Sequence, residues 1–417
     1  MKSVCSRANG AWPAGNAPFK GGEFDWHHEI RQGDPIDMAA KTRIARLVPA
    51  LDFGGVETRV ALQSELHDRE KFDLHVVTLH ADGRAAARVR AAGVAVHVLD
   101  VSPSIREPRT TLVLTRTLRR LRPHILHASA GEGMFHGALA GNLAAVPRII
   151  LEEVGMPGRG RAGRLTFAAL YRTVDAVVSV SGAVQDLLVR TEWLPLDRAR
   201  MIHNCAQPVF FEPVRRTWSA EGRPFRFFTA GRLVPQKNLA FLLSAFAELV
   251  TNEGVDAELV IAGDGPLAAE LREKARNLGL DQRVHFLGFR SDIPALLDEH
   301  DAFVFPAGYG EGCSNALVEA MARATPLISS SSPGNPEVAG ELGDDWVLSH
   351  TDGPAWTRAM ARLARMDPVA RQAHGTAGRA IAEARFSPTR YLGDVEAMYL
   401  DVLARPSRRV AAWLDRA

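Results

Sequence analysis

A glycine-rich segment in the second half of the chain, residues 310–320, carries residues suited to phosphate chemistry. It follows an apolar run, and a helix is predicted to begin near Ser314 or Asn315. The first turn of a helix presents unpaired N–H groups and a partial positive charge, and glycines allow close approach. Glu319 would lie roughly 6 Å further along the axis, within reach of two ribose hydroxyls. Glu311 would face the other end of a diphosphate, although an ordinary turn with a solvated Glu319 also fits this segment alone.

A second segment, residues 230–238, places two cations in one loop. It follows a predicted strand and precedes a predicted helix, so Arg232 and Lys237 would lie at the carboxyl edge of a sheet. A guanidinium and an ammonium at this edge can neutralise a diphosphate leaving group without a metal. In isolation the pair also fits two solvated surface charges.

Short apolar runs alternate with helical patterns from Lys41 onward, and these elements would position both segments. The alternation predicts parallel sheets covered on both faces. Asn238 is predicted to cap the first helix of the second half, which has one apolar stripe. The predicted strands are 44–51, 74–79, 94–99, 125–127, 148–151, 176–180, 201–202, 226–229, 258–261, 284–287, 302–305 and 326–328, with helices that include 60–67 and 112–121.

A proline-containing break at residues 207–224 divides the alternation into two parts. We therefore predict a first domain at 41–206, a linker at 207–224 and a second domain at 225–385. The Arg-rich helical segment 386–417 is expected to cross back onto the first domain. Residues 1–40 are predicted to be a disordered extension, with translation from Met38 as the alternative. The fold class is α/β, with two Rossmann-like, doubly wound domains facing a central cleft.

The composition excludes several functional classes. The net charge of +2 gives no global field for nucleic acid. The three cysteines are far apart and show neither a disulfide framework nor a zinc spacing, which fits a reducing, cytoplasmic compartment. No apolar run reaches the roughly 18–20 residues of a membrane span, and no signal-peptide pattern occurs.

The two segments together resemble the family-4 retaining glycosyltransferases of the GT-B fold (glycosyl transferases group 1). The family's two glutamates, separated by seven residues, correspond to Glu311 and Glu319, and its G-R-L-x-x-x-K-N pattern corresponds to residues 231–238. The resemblance covers roughly residues 42–385 and is most specific in the second domain, where motif order and spacing are kept. Further matching segments are 262–266, 286–289 and 333–338 and, more loosely, 53–57, 122–127, 179–181 and 202–204.

The resemblance implies a nucleotide-sugar donor on the second domain and an acceptor on the first. Arg232 and Lys237 would hold the diphosphate, and Glu311 would contact the donor sugar. The implied reaction keeps the anomeric configuration by front-side displacement, in which the leaving diphosphate takes the acceptor's proton and its cationic partners carry most of the catalysis. No Asp-x-Asp triplet occurs, so a divalent metal is not expected. No cofactor is predicted either.

Further donor contacts are implied by the same resemblance. Asn315 would contribute backbone contacts, Glu319 would bind the ribose, and the segment around Arg290 would line the base pocket through its backbone. Gly55, which follows Gly54 in the first domain's glycine loop, would approach the phosphates when the cleft closes.

The chain departs from the family pattern after its fifth predicted strand. A histidine often stands there beside the donor sugar, but residues 151–155 read Leu-Glu-Glu-Val-Gly. Ser129 likewise stands where a second histidine often follows His127. Glu153 either takes over contact with the sugar or acceptor, or binds the chain locally.

The basic residues of the first domain concern the acceptor. They cluster in residues 106–122 and 159–164, the second cluster preceding an apolar stripe. Such a loop could meet anionic lipid headgroups, and a solvated surface loop is the alternative. The expected function is cytoplasmic sugar transfer to a glycan or lipid-linked acceptor in polysaccharide biosynthesis (lipopolysaccharide or exopolysaccharide), with peripheral contact at the inner membrane face. The alternatives are a phosphorylase or epimerase of the same fold and a non-catalytic sugar-nucleotide-binding protein.

Overall fold

The computed structural model describes residues 41–52, 54–214 and 223–406. The predicted extension at 1–40 lies outside these residues, as do Phe53, the middle of the predicted linker and the end of the last predicted helical segment. No helix within the described ranges is long and apolar enough to cross a membrane.

The first part of the chain forms a seven-stranded sheet in the order β3-β2-β1-β4-β5-β6-β7, parallel throughout. Strands β4, β5 and β6 are buried along their whole length, because helices cover both faces of the sheet. The elements are β1 (Thr42–Leu51), α1 (Gly55–Leu66), β2 (Phe72–Asp82), α2 (Arg84–Ala91), β3 (Ala95–Val98), α3 (Pro108–Leu121), β4 (Ile125–Ser129), α4 (Gly131–Leu143), β5 (Arg148–Glu153), α5 (Arg161–Tyr171), β6 (Ala176–Ser179), α6 (Gly182–Glu192) and β7 (Ala199–Met201).

The second part forms a six-stranded parallel sheet in the order β10-β9-β8-β11-β12-β13. Both strand orders reverse direction beside the first strand of their sheet, which is the topological switch point where open α/β sheets bind ligands. The elements are β8 (Phe225–Ala230), α7 (Leu239–Thr251), β9 (Ala257–Ala262), α8 (Ala268–Asn277), β10 (Val284–Gly288), α9 (Ile293–Glu299), β11 (Ala302–Phe305), α10 (Asn315–Ala322), β12 (Leu327–Ser330), α11 (Asn335–Ala339), β13 (Val347–Leu348), α12 (Gly353–Arg365), α13 (Pro368–Arg385) and α14 (Pro388–Ala404).

Two doubly wound α/β sheets confirm the predicted fold class. The predicted capping role of Asn238 is wrong. Asn238 precedes α7 but has a left-handed backbone (φ 53°), and its side chain makes no cap hydrogen bond. Its amide instead donates to the carbonyl oxygens of Pro306 (3.3 Å) and His350 (3.0 Å), so it ties together the loops at the sheet edge.

Helix α14 packs against the first sheet. Its buried face, which includes Tyr391, Val395 and Tyr399, joins the same apolar cluster as Ile44 on β1. Arg148 at the start of β5 donates to the carbonyl oxygen of Val402 (2.5 Å) at the helix end. A cation that hydrogen-bonds the last carbonyl groups satisfies otherwise unpaired acceptors and interacts favourably with the helix dipole.

Candidate functional site

The predicted catalytic residues of the second domain lie where β8 and β11 end. The chain leaves β11, runs through residues 306–314 and enters α10, while the loop after β8 carries Arg232 and Lys237. The two loops are joined where the backbone N–H of Gly308 donates to the carbonyl oxygen of Gln236 (2.9 Å). The sheet topology therefore brings together segments about 75 residues apart in sequence.

Lys237 and Glu311 form a half-buried ion pair at the centre of this edge. The Lys237 Nζ lies 2.7 Å from Glu311 Oε1, and Gln236 Nε2 donates to the same oxygen at 3.1 Å. The ammonium also lies 4.8 Å from the centroid of the Phe305 ring, which favours a cation on its face. Charge, amide and ring thus hold the lysine at the end of β11.

Arg232 lies beside this pair and is exposed. Its guanidinium makes no hydrogen bond or ion pair with the residues that the structure describes, while Arg232 and Lys237 line one small pocket. The backbone beneath them is tightly packed, because a Cβ at Gly263 (φ 144°) would lie 1.8 Å from the carbonyl oxygen of Gly231. Only glycine allows the loops after β8 and β9 to run this close.

Helix α10 begins without a side-chain cap. Ser314 occupies the N-cap position, but its hydroxyl accepts no hydrogen bond from the first turn. The N–H groups of that turn therefore remain a candidate anion site. One turn further along, Glu319 makes no ion pair within the described ranges, and burial raises its pKa to about 8.

The first domain contributes the N-terminus of α1, which meets the N-terminus of α10. A Cβ at Gly55 would lie 2.7 Å from the Asn315 side-chain nitrogen, so the two segments are already in contact. Asn204, after β7, donates to the carbonyl oxygen of Cys313 (2.9 Å) and to Asn315 Oδ1 (3.0 Å). Gly54 is the N-cap of α1 and also provides no side-chain cap, although the carboxylate of Glu57 lies against it.

The side chains of two other predicted site residues form local ion pairs. Glu153 at the end of β5 accepts a hydrogen bond from Arg159, which also pairs with Glu192 (2.7 Å). Burial raises the pKa of Glu153, and the charge of Arg159 offsets this only in part. Arg290 pairs with Asp292, which leaves its backbone as the part available for a base contact.

A buried polar network below the first-domain site was not predicted. Glu152 on β5 accepts from Arg46 Nη2 and from the Ser129 hydroxyl, both at 2.5 Å, and Arg59 Nη2 lies 3.3 Å away. Burial opposes ionisation of Glu152, but the charges of Arg46 and Arg59 outweigh it and hold its pKa well below the usual range. Ser129 and Glu152, which depart from the family pattern, are therefore partners of each other. The signal was present as Arg46, a charged residue inside the predicted strand 44–51, where a buried charge requires a partner.

Burial and the neighbouring Arg46 charge hold the pKa of His127 well below its usual value, so its ring is neutral. The His127 Nδ1 lies 2.9 Å from the Tyr399 hydroxyl, which also accepts from Gln63 Nε2 (3.0 Å). This connects α14 to the network beneath the cleft.

Models of two glycosyltransferase families match the chain. Residues 53–208 match Glycosyltransferase Family 4, and residues 211–380 match Glycosyl transferases group 1. The two matches meet within the predicted linker; the first covers the first sheet apart from β1, and the second covers the second sheet. Both describe glycosyltransferases, which confirms the predicted enzyme class.

Similar proteins agree with these matches. The UDP-Gal:alpha-D-GlcNAc-diphosphoundecaprenol alpha-1,3-galactosyltransferase of Escherichia coli is 25% identical over 78% of this chain and 88% of its own length. A glycosyltransferase from Rickettsia africae superposes with a TM-score of 0.75 at 16% identity, over 88% of this chain and all of that one. Anabaena Alr3699/HepE in complex with UDP and glucose superposes with a TM-score of 0.73 at 19% identity, over 86% of this chain and all of that one. The structural matches show the shared GT-B fold.

Proposed function

The chain belongs to the glycosyltransferases of group 1 and family 4, and we propose that it transfers a sugar from a nucleotide-diphosphate donor with retention of configuration and without a metal. The observation that carries this proposal is the meeting of the α1 and α10 N-termini beside Lys237 and Arg232. Two helix N-termini without side-chain caps, together with two cations, form a site for two adjacent phosphates.

The diphosphate lies between the α10 N-terminus and the two cations in this proposal. Lys237 is paired with Glu311, so an incoming phosphate competes for its ammonium. Glu311 then turns to the hydroxyls of the donor sugar. Glu319 accepts from the ribose, one helical turn from the phosphates.

The chemical step follows from where charge develops. As the bond between the sugar and the diphosphate breaks, negative charge grows on the leaving oxygen, and Arg232, Lys237 and the helix N–H groups stabilise it. The acceptor attacks from the same face and passes its proton to the leaving diphosphate. This step places no covalent intermediate on Glu311. The positive charge that a metal would supply comes from the protein.

The acceptor is proposed to be lipid-linked or a glycan. The Escherichia coli relative is named for a diphosphoundecaprenol acceptor.

Cytoplasmic location and peripheral membrane contact belong to the same proposal. Helices α3, α4 and α5 expose apolar and basic side chains: Arg109, Leu112 (55% exposed), Arg116, Arg120, Leu143 (55%), Arg161, Arg164 and Leu165 (62%). An apolar surface mixed with arginine fits an anionic bilayer.

The donor assignment is tested with Lys237→Met, which keeps the apolar stem over Phe305 and removes the charge. The preferred nucleotide sugar is first found with a panel of donors. With that donor we expect kcat/KM to fall about a hundredfold, because the variant lacks one preorganised hydrogen-bond donor to the charge that develops on the leaving group. The control is Lys274→Met on α8 of the same domain, which should retain wild-type rates. Wild-type kcat/KM in Lys237→Met, or a wild-type enzyme that binds nucleotide sugars without turning any over, would contradict the proposal.

A further inference from the structure

A carboxylate of the second domain binds the first domain outside the predicted donor site. Glu337 on α11 accepts from the backbone N–H of Gly182 at 2.9 Å with each of its oxygens. His203 Nε2, after β7, lies 2.5 Å from Glu337 Oε1, and the N–H of Ala183 lies 3.4 Å from Oε2. Gly182 and Ala183 form the first turn of α6, so the carboxylate sits at a helix N-terminus and faces an imidazole.

The surroundings favour an ionised Glu337. Burial opposes ionisation, but the hydrogen bonds from His203 and from the α6 backbone outweigh it and hold the pKa of Glu337 below its usual value. The other titratable groups facing this contact are the buried thiol of Cys313 and the guanidinium of Arg390, which donates to the carbonyl oxygen of His203 (2.9 Å). The His203 ring also packs on Phe386, with ring centroids 5.4 Å apart.

The contact between Glu337 and the first domain adjoins the loop between β11 and α10 (residues 306–314). A Cβ at Gly334, the N-cap residue of α11, would lie 1.9 Å from the carbonyl oxygen of Gly312. Gly312 in turn lies against the first domain, because its own Cβ would be 2.8 Å from the Val180 side chain. Asn204, the neighbour of His203, holds Cys313 and Asn315. The same short segment after β7 therefore binds both α11 and the start of α10.

We propose that Glu337 is a positioning residue that closes the cleft. Its bonds to His203 and to the α6 N-terminus hold α11 against the first domain. Through Gly334 and Gly312, they seat the α10 N-terminus opposite Gly55, where the two phosphates would lie. The expected change in donor KM rests on the function proposed above, whereas the expected change in interdomain distance does not depend on that function.

The test compares Glu337→Gln with a matched control, Glu341→Gln. Glu341 lies four residues further along the chain and pairs with Arg385 inside the second domain, so its substitution also removes one paired charge. Spin labels at Arg116→Cys and Lys274→Cys, on exposed α3 and on α8, report the distance between the domains by pulsed electron resonance. Donor KM and kcat are measured on the unlabelled variants.

Glu337→Gln should add a longer-distance population that saturating donor removes. Donor KM should rise about tenfold, as for loss of one charge-assisted hydrogen bond, with kcat within about threefold of wild type. Glu341→Gln should match wild type in both measurements. His203→Ala removes the other partner of the same contact and should lengthen the distance between the two spin labels. In the double variant it should not add to the effect of Glu337→Gln.

A wild-type distance distribution in Glu337→Gln overturns the proposal, whatever KM does. If Glu337→Gln fails to fold, a wild-type distribution in His203→Ala overturns it. An enzyme that turns over no nucleotide sugar defeats the proposed function but leaves the distance measurement to decide the role of Glu337.

Discussion

At the scale of single residues, Glu319 has the most informative environment. It lies one turn inside α10, makes no ion pair in the part of the chain that the structure describes, and burial raises its pKa to about 8. A carboxylate carries only acceptors and accepts hydrogen bonds from two hydroxyls more strongly than the neutral acid, which keeps an O–H donor. At neutral pH the Glu319 carboxyl group would therefore carry a proton that donor binding releases.

Because donor binding is linked to deprotonation of Glu319, donor affinity should depend on pH. Because the free protein is protonated below pH about 8, donor binding should strengthen as pH rises, by about tenfold between pH 6 and pH 7, and level off above about 8. Isothermal titration in buffers of different ionisation enthalpy should show one proton released. Glu319→Gln should bind more weakly with a flat profile, and Glu273→Gln on α8 should keep the wild-type profile. Donor affinity independent of pH in the wild type would contradict the proposed role of Glu319.

The sequence predicts which residues share the end of the second sheet, but not the partners of residues within strands. Arg232, Lys237, Glu311 and Glu319 stand at fixed offsets from predicted strand ends, so their common edge follows from topology. The hydrogen bond between Arg46 and Glu152 joins residues 106 positions apart. Which side chains surround this pair depends on the order of strands in the sheet and on the packing of α14. Sequence periodicity contains neither piece of information.

At the scale of elements, helices α3, α4 and α5 present the surface proposed for the bilayer. Arg116 and Arg120 lie on the exposed side of α3, four residues apart like Leu112 and Arg116, and make no ion pairs within the described residues. Each arginine near an anionic surface contributes about 1 kcal/mol of attraction.

We therefore expect co-sedimentation with liposomes that contain anionic lipid, but not with zwitterionic liposomes. Arg116→Ala combined with Arg120→Ala should lower the binding constant by about tenfold or more, because two attractive charges are lost. The matched control combines Arg276→Ala with Arg358→Ala, two exposed arginines of the second domain, and should bind as the wild type does. Equal, negligible sedimentation with both liposome types would contradict membrane contact.

Elements with a clear helical period or a continuous apolar run were predicted, whereas a two-residue strand and a conformation set by tertiary contacts were not. Nearly all strands occur within a few residues of their predicted positions because parallel strands are short, continuous apolar runs. β13 has only two residues and therefore no period. Asn238 has the residue type of a helix cap, but tertiary contacts with two carbonyl groups determine its conformation.

At the scale of the whole molecule, helices and loops of the two domains contact one another at several points around the cleft. Gly55 meets Asn315 near the centre, His203 meets Glu337 on one side, and Arg84 of α2 lies 5.2 Å from the Phe289 ring centroid beside the loop proposed for the base. A glycine-lined centre between polar contacts suits a donor that closes the domains around its diphosphate. In the proposed mechanism, this arrangement transfers the sugar from the front side with the protein's own cations.

The most direct test is the anomeric configuration of the first product formed in the presence of a chelator. The enzyme, freed of metal and supplied with its preferred α-linked nucleotide sugar and a lipid-linked or glycan acceptor, should form an α-glycoside at its usual rate. For a gluco- or galacto-configured sugar the small coupling of the anomeric proton to H2 identifies this product, and for a manno-configured sugar the one-bond carbon–proton coupling of the anomeric centre does so. A β-glycoside, or activity that EDTA abolishes and a divalent cation restores, would contradict the proposed retaining, metal-independent mechanism.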